Sequence, residues 1–226
     1  MMLVATSLAV ALFASTFVAA GAPAASSAAI PPMIVNVTAA AEMSPRLIAA
    51  VLAEADAIWR PGGVTFIWRR APLVVPPYAS RTETGPYVPN TLRLTIGDKR
   101  GTLRDGRLPL GWILFDDVAE PEQEIYLSYV NARAMMDQAR GVVGIVEQMT
   151  TIQRETLLAR AMGRALSHEL GHYLLASKAH TGRGLMKAVL TAVELFMPDA
   201  SAFRIEPAQR LAVAARLRGE PTVASR

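Results

Sequence analysis

The stretch His168-Glu169-Leu170-Gly171-His172, followed by His180, constrains the structure of this chain more than any other part of its sequence. The chain has 226 residues and only three histidines, all within this stretch. In a helix, residues i and i+4 lie one above the other on the same face. His168 and His172 can therefore direct two imidazoles at one point, as tetrahedral zinc with ligands at about 2.1 Å requires. The spacing predicts a helix with a zinc site on one face.

Glu169 has a different place in this arrangement. It points about 100° away from His168 around the helix axis, so it is poorly placed to bind the same ion but well placed to contact a water on it. Zinc lowers the pKa of a bound water towards ~7. A carboxylate beside that water can take its proton and pass it to a leaving amine. We therefore predict Glu169 as a catalytic general base.

The predicted zinc site needs a third protein ligand, and His180 is the preferred candidate. If the helix continued, His180 would lie roughly 12 Å beyond His172 along the axis. The helix is therefore expected to end near Ser177 and the chain to turn back. The glycines at positions 182 and 184 suit such a turn.

These residues resemble the metzincin zinc peptidases, whose pattern is HExxHxxGxxH followed by a methionine turn beneath the metal. Here the third histidine comes at +12 from the first rather than +10, and Leu175 stands in the place of the turn glycine. The resemblance implies zinc bound by His168, His172 and His180, with Met186 in the methionine turn. The short spacing from His180 to Met186 is closest to that of the archaemetzincin-like branch, whose cysteines this chain lacks. The run HELGHYLLASKAHTGRGLM also resembles one found in uncharacterised secreted bacterial proteins.

Other interpretations of the same residues stay open at this point. Glu194, 22 residues after His172, resembles in its spacing the third ligand of the thermolysin-like His-His-Glu group. The HExxH run is also compatible with an ordinary amphipathic helix, and His180 with a solvated loop residue. Met186 is compatible with a plain core side chain.

The N-terminal part has the composition of a targeting segment. Residues 1–41 carry no charged side chain, and residues 3–18 are apolar and followed by small residues. This pattern predicts a secretory signal peptide over residues 1–29 and a catalytic domain over residues 30–226. The absence of Lys or Arg before the apolar run leaves an uncleaved anchor as the alternative. We expect a secreted or periplasmic protein whose mature part is not inserted in a membrane.

Composition limits the metal ligands and the partners that this chain is expected to use. The chain has no cysteine, which leaves histidine and carboxylate as metal ligands. The net charge is +4, but the arginines are scattered and no basic helix carries interleaved aromatics, so nucleic acid is not an expected partner. A peptide or protein substrate is expected, and the oligomeric state is left undetermined.

Periodicity predicts an α+β domain in which most strands precede the helices. Predicted strands lie at residues 33–37, 64–68, 92–96, 111–115 and 125–129. Predicted helices lie at residues 45–59, 131–139, 150–177, 188–195 and 207–217. This order resembles the metzincin core, which implies one mixed sheet packed on helices, with the metal-binding helix followed by the methionine turn and a C-terminal helix.

Two connecting segments have more than one interpretation. Residues 69–90 contain five prolines and read either as a surface loop or as the rim of a cleft. Residues 116–124 carry five acids; a calcium site is an alternative there, but the D-x-D-x-D spacing is absent, which favours a solvated hairpin.

The sequence thus predicts a secreted zinc-dependent peptidase. Two alternatives remain: a zinc-binding envelope or partner-binding domain without proteolytic activity, and a zinc hydrolase acting on a non-peptide amide. A purely structural zinc site usually has four protein ligands and needs no adjacent base, so Glu169 favours the enzyme.

Overall fold

A computed structural model describes residues 30–70, 91–101, 108–116 and 120–219. The predicted signal peptide, most of the proline-rich segment and residues 117–119 of the acidic segment lie outside these ranges. Five strands form one sheet in the order β2-β1-β3-β5-β4. They are β1 (Met33–Ala39), β2 (Phe66–Arg70), β3 (Thr91–Gly97), β4 (Gly111–Phe115) and β5 (Pro121–Ser128). All neighbours pair in parallel except β4, which runs antiparallel to β5.

Six α-helices accompany the sheet in the described part of the chain. They are α1 (Pro45–Trp59), α2 (Tyr129–Gln138), α3 (Arg140–Val143), α4 (Thr151–Leu175), α5 (Ala192–Phe196) and α6 (Pro207–Leu217). The two long helices begin where their caps predict: the Ser44 side chain accepts from the Leu47 amide, and Thr150 and Gln153 form a capping box.

One face of the sheet supplies the core. Alternate residues of the parallel strands are buried, such as Val35, Leu94 and Ile125, because successive side chains point to opposite faces. They join the apolar faces of α1 and α4 in a single cluster. The predicted mixed sheet packed on helices is confirmed.

Several predicted boundaries were wrong. The linker does not begin at Arg69, because Arg69 and Arg70 continue β2. The second half of the acidic segment belongs to β5, which ends before Tyr129. The helix expected from residue 188 begins only at Ala192, where Thr191 caps it. Sequence periodicity predicts well which face of a helix or strand is apolar. It predicts poorly where the helix or strand ends, because the ends depend on caps and pairing partners.

Candidate metal centre and cleft

Helix α4 carries the central residues and is fixed against α1. Arg164, which is fully buried, places its Nε 2.9 Å from a carboxylate oxygen of Glu54 on α1. The indole nitrogen of Trp59 donates to the carbonyl oxygen of Ser167, at 3.3 Å, directly before His168. Gly163 lets the two helices approach closely, since a Cβ there would lie 2.5 Å from the Cβ of Glu54. These contacts fix the position of the helical turns that carry His168, Glu169 and His172.

The chain reverses directly after α4, two residues earlier than predicted. The helix ends at Leu175, and Ala176 adopts the left-handed conformation with φ of 45°. The Ser177 amide then donates to the carbonyl oxygen of His172. A short bridge between Thr181 and Lys187 closes the loop that follows. The reversal carries His180 back towards the helix, as the sequence predicted.

The three histidines converge. The nearest ligand atoms of His168, His172 and His180 all lie within 4.8 Å of one another. The ring of His180 stacks on that of His168 with centroids 5.2 Å apart, and meets the ring of His172 edge-on at 4.9 Å. The three residues come from a helix and from the loop after it, so their convergence is a property of the tertiary structure.

Backbone carbonyls set the orientation of two of these rings. His168 Nδ1 lies 2.9 Å from the carbonyl oxygen of Leu185, and His172 Nδ1 lies 2.6 Å from that of Ser177. A carbonyl only accepts, so each Nδ1 carries the proton and each Nε2 keeps its lone pair. Outer-shell contacts of this kind orient metal-binding histidines. Sequence reasoning did not identify these two carbonyls, because a main-chain oxygen leaves no residue-type signal.

The spacing of His168 and His172 fits a zinc ion. Two ligands at about 2.1 Å in a tetrahedron lie about 3.4 Å apart, and the Nε2 atoms of His168 and His172 are separated by 3.1 Å. Burial is the main cause that lowers the pKa of His168 to about 4, with the His172 and His180 rings adding to the effect. Neutral imidazoles are the form that binds metal.

Glu169 is buried at the side of this cluster, with 9 % of its surface exposed. Burial raises the pKa of its carboxyl to about 8, opposed by a hydrogen bond with the backbone of Ile113. Gly111 leaves the space for this side chain, since a Cβ there would lie 3.1 Å from Glu169 Cγ. The carboxyl therefore lies between helix α4 and strand β4.

A cleft of about 1180 Å³ opens in front of these residues. Strand β4 forms one border of it and is the last strand of the sheet, so its outer edge has no strand partner in the described residues. The Ser128 amide donates to Leu110 O, which makes Leu110 and Ser128 a hydrogen-bonded pair. Antiparallel pairs alternate, so the backbone groups of Gly111 and Ile113 point away from β5.

The other residues that the sequence offered for a metal site lie outside the histidine cluster. Glu194 is not part of the histidine cluster: one of its oxygens lies 2.7 Å from Lys187 Nζ, and the other caps α5 through Thr191. Met186 is 1 % exposed and packs beneath α4 against Gly171. The acidic segment gives no cation-binding cluster among its described residues.

Comparisons with known proteins give likenesses to solved structures only. No family model matches the chain, and a search of curated proteins found no match. The crystal structure of archaemetzincin from Methanopyrus kandleri is similar, with a TM-score of 0.48 and 15 % sequence identity. The similarity covers 82 % of this chain and 96 % of that one. The residues of the candidate site are therefore identified from the geometry of this chain.

Proposed function

We propose that this chain is a zinc-dependent peptidase in which His168, His172 and His180 hold the metal and Glu169 is the general base. The observation that carries the proposal is the convergence of three imidazoles beside a buried carboxyl in an open cleft. A closed structural site would instead engage a fourth protein ligand. A zinc ion held there would acidify water and polarise the scissile carbonyl.

The residues of the chain would then have defined roles. In its ionised form, Glu169 would take a proton from the attacking water and deliver it to the leaving amine, and its raised pKa makes it a stronger base. The Ile113 backbone, through its hydrogen bond to Glu169, keeps the carboxylate at the floor of the cleft. Met186 would form the methionine turn, supporting the helix at Gly171 and carrying no chemistry.

The edge of β4 supports a peptide as the substrate. The outward backbone groups of Gly111 and the carbonyl of Ile113 are arranged to pair with an extended chain. Added strands of this kind obtain affinity from main-chain hydrogen bonds. A small amide could not use such an edge, which favours a peptidase over a hydrolase of non-peptide amides.

Export from the cytoplasm is the second part of the proposal. It is supported by the apolar segment in residues 3–18 and the small residues after it. No helix among the described residues is long and apolar enough to cross a membrane. Cell fractionation with N-terminal sequencing of the mature chain tests it. A chain that stays cytoplasmic with its N-terminus intact would contradict export.

Metal content and cleavage of a peptide library, measured together on wild type and Glu169→Gln, test the function. We expect one zinc in both proteins and cleavage by wild type only. Glu155→Gln is the matched control, because Glu155 lies on the same helix about four turns earlier, outside the cleft. Zinc in both without cleavage would favour a binding module, and absence of zinc from both would refute the metal site.

A further inference from the structure

A lysine stands beside the histidine cluster without a role in the proposed chemistry. Lys178 lies in the loop between His172 and His180, is exposed, and lines the cleft. Its Nζ lies 5.0 Å from the centroid of the Phe115 ring. Phe115 in turn meets the His172 ring edge-on, with centroids 6.4 Å apart. The ring of Phe115 thus connects the ammonium group to the edge of the candidate metal centre.

Among the described residues that line the cleft, Lys178 is the lysine without an ion-pair partner. Lys187 also lines the cleft, but its Nζ lies 2.7 Å from Glu194. Within the described ranges no carboxylate lies within 4 Å of Lys178 Nζ. A cation–π contact holds an ammonium group in place without neutralising its charge. Glu169, the acid among the described lining residues, is buried at the floor of the cleft.

The rest of the lining is mainly apolar. Trp112 and Leu114 of β4 line the cleft, as do Val189 and Leu190 after Met186. Leu114 and Val189 are 46 % and 55 % exposed, which is high for large apolar side chains. A substrate that covers these apolar side chains and places a negative charge at Lys178 would complement both the apolar lining and the lysine.

We propose that Lys178 binds a carboxylate of the substrate, so that the cleft selects acidic peptides cut within roughly one or two residues of that carboxylate. The carboxylate can come from an aspartate or glutamate side chain or from the free C-terminus of the peptide. The inference rests on the proposed function for the position of the cut, but the binding preference itself does not require cleavage.

Peptide binding to the zinc-loaded, full-length Glu169→Gln protein tests the inference without turnover. Four labelled peptides of equal length and apolar sequence carry Glu or Gln at the centre and a free or amidated C-terminus. We expect at least one carboxylate to tighten binding about three- to tenfold, as measured by fluorescence anisotropy. The difference should shrink as salt rises, because exposed charges are screened. The Glu/Gln pair and the free/amidated pair distinguish the two sources of the carboxylate.

Variants at position 178 complete the test. Lys178→Met should abolish the preference, and Lys178→Glu should transfer it to a peptide with a central Lys; zinc content reports on folding. Lys99→Met is the matched control, since Lys99 Nζ also lies 5.0 Å from a ring, that of Tyr126, but does not line the cleft. Equal binding of all four peptides, failure of every peptide to bind below about 1 mM, or a preference that survives Lys178→Met would overturn the inference. Binding preference without any cleavage by wild type would refute the proposed peptidase and leave the role of Lys178 intact.

Discussion

Met186 packs directly against Gly171, closer than a Cβ at position 171 would allow. Gly171 lies in the turn of α4 between His168 and His172, and Met186 is almost fully buried. The residue before Met186 supplies the carbonyl oxygen that meets His168 Nδ1. The contact therefore sets the distance between α4 and the segment that orients one of its histidines.

Gly171→Ala should weaken zinc binding and destabilise the fold by about 1–3 kcal/mol, because the added methyl group displaces Met186. Zinc titration and urea denaturation measure the two effects. The double variant Gly171→Ala/Met186→Ala should recover part of the zinc affinity, since the shorter side chain vacates the space. Gly182→Ala is the control, because nothing lies within 4 Å of a Cβ there. Equal effects of the two glycine substitutions would contradict this account.

His180→Ala should lower zinc affinity by more than about a hundredfold, since even outer-shell substitutions cost ten- to hundredfold. Glu194→Gln should leave zinc affinity unchanged, because Glu194 is engaged by Lys187 and Thr191. Competition with a chromogenic chelator measures both. The opposite pattern would show that Glu194 is the third ligand.

Glu194 should instead contribute to stability in a pH-dependent way. The hydrogen bond from Lys187 is the main cause that lowers the pKa of its carboxyl to about 2, from an ordinary 4.5. The stabilisation is therefore fully present above pH 4.5 and lost as pH falls towards 2. The free energy of unfolding of wild type should exceed that of Glu194→Gln by about 1 kcal/mol at pH 7, and by less at pH 3. Urea denaturation at both pH values checks this; a difference that does not change with pH would contradict it.

Gly111→Ala should reduce cleavage roughly ten- to hundredfold with zinc retained, because small displacements of a catalytic group are costly. The new Cβ would lie 2.8 Å from Leu127 Cδ2 and 3.1 Å from Glu169 Cγ. Gly97→Ala at the end of β3 is the control, with nothing within 4 Å of its Cβ. Kinetics with one cleaved peptide measure the effect, and wild-type turnover in Gly111→Ala would refute the packing role of Gly111.

Ala176→Gly should stabilise the protein by about 0.5–1 kcal/mol, because the left-handed conformation strains alanine but not glycine. Thermal denaturation should show a higher Tm, with zinc affinity unchanged. Ala159→Gly, inside α4, should have the opposite effect and cost about 1 kcal/mol. A lower Tm for Ala176→Gly would show that the strain is absent.

The sequence by itself determined the helix that carries His168, Glu169 and His172, since i, i+4 spacing and the Thr150 cap are local properties. It also predicted that the chain reverses towards His180, because a straight helix could not bring the third imidazole back. Periodicity predicted the positions of the five strands for the same local reason.

Only the tertiary structure decided what surrounds these residues. The carbonyl of Leu185 at His168, the backbone of Ile113 beside Glu169, and the open edge of β4 depend on contacts between segments that are distant in the sequence. Main-chain groups are the same in every residue, so their roles leave no mark in the sequence. The placement of His180 and Glu194 likewise required the fold, because spacing allows either as a third ligand. Only three-dimensional packing brings His180 to the histidine cluster while Lys187 engages Glu194.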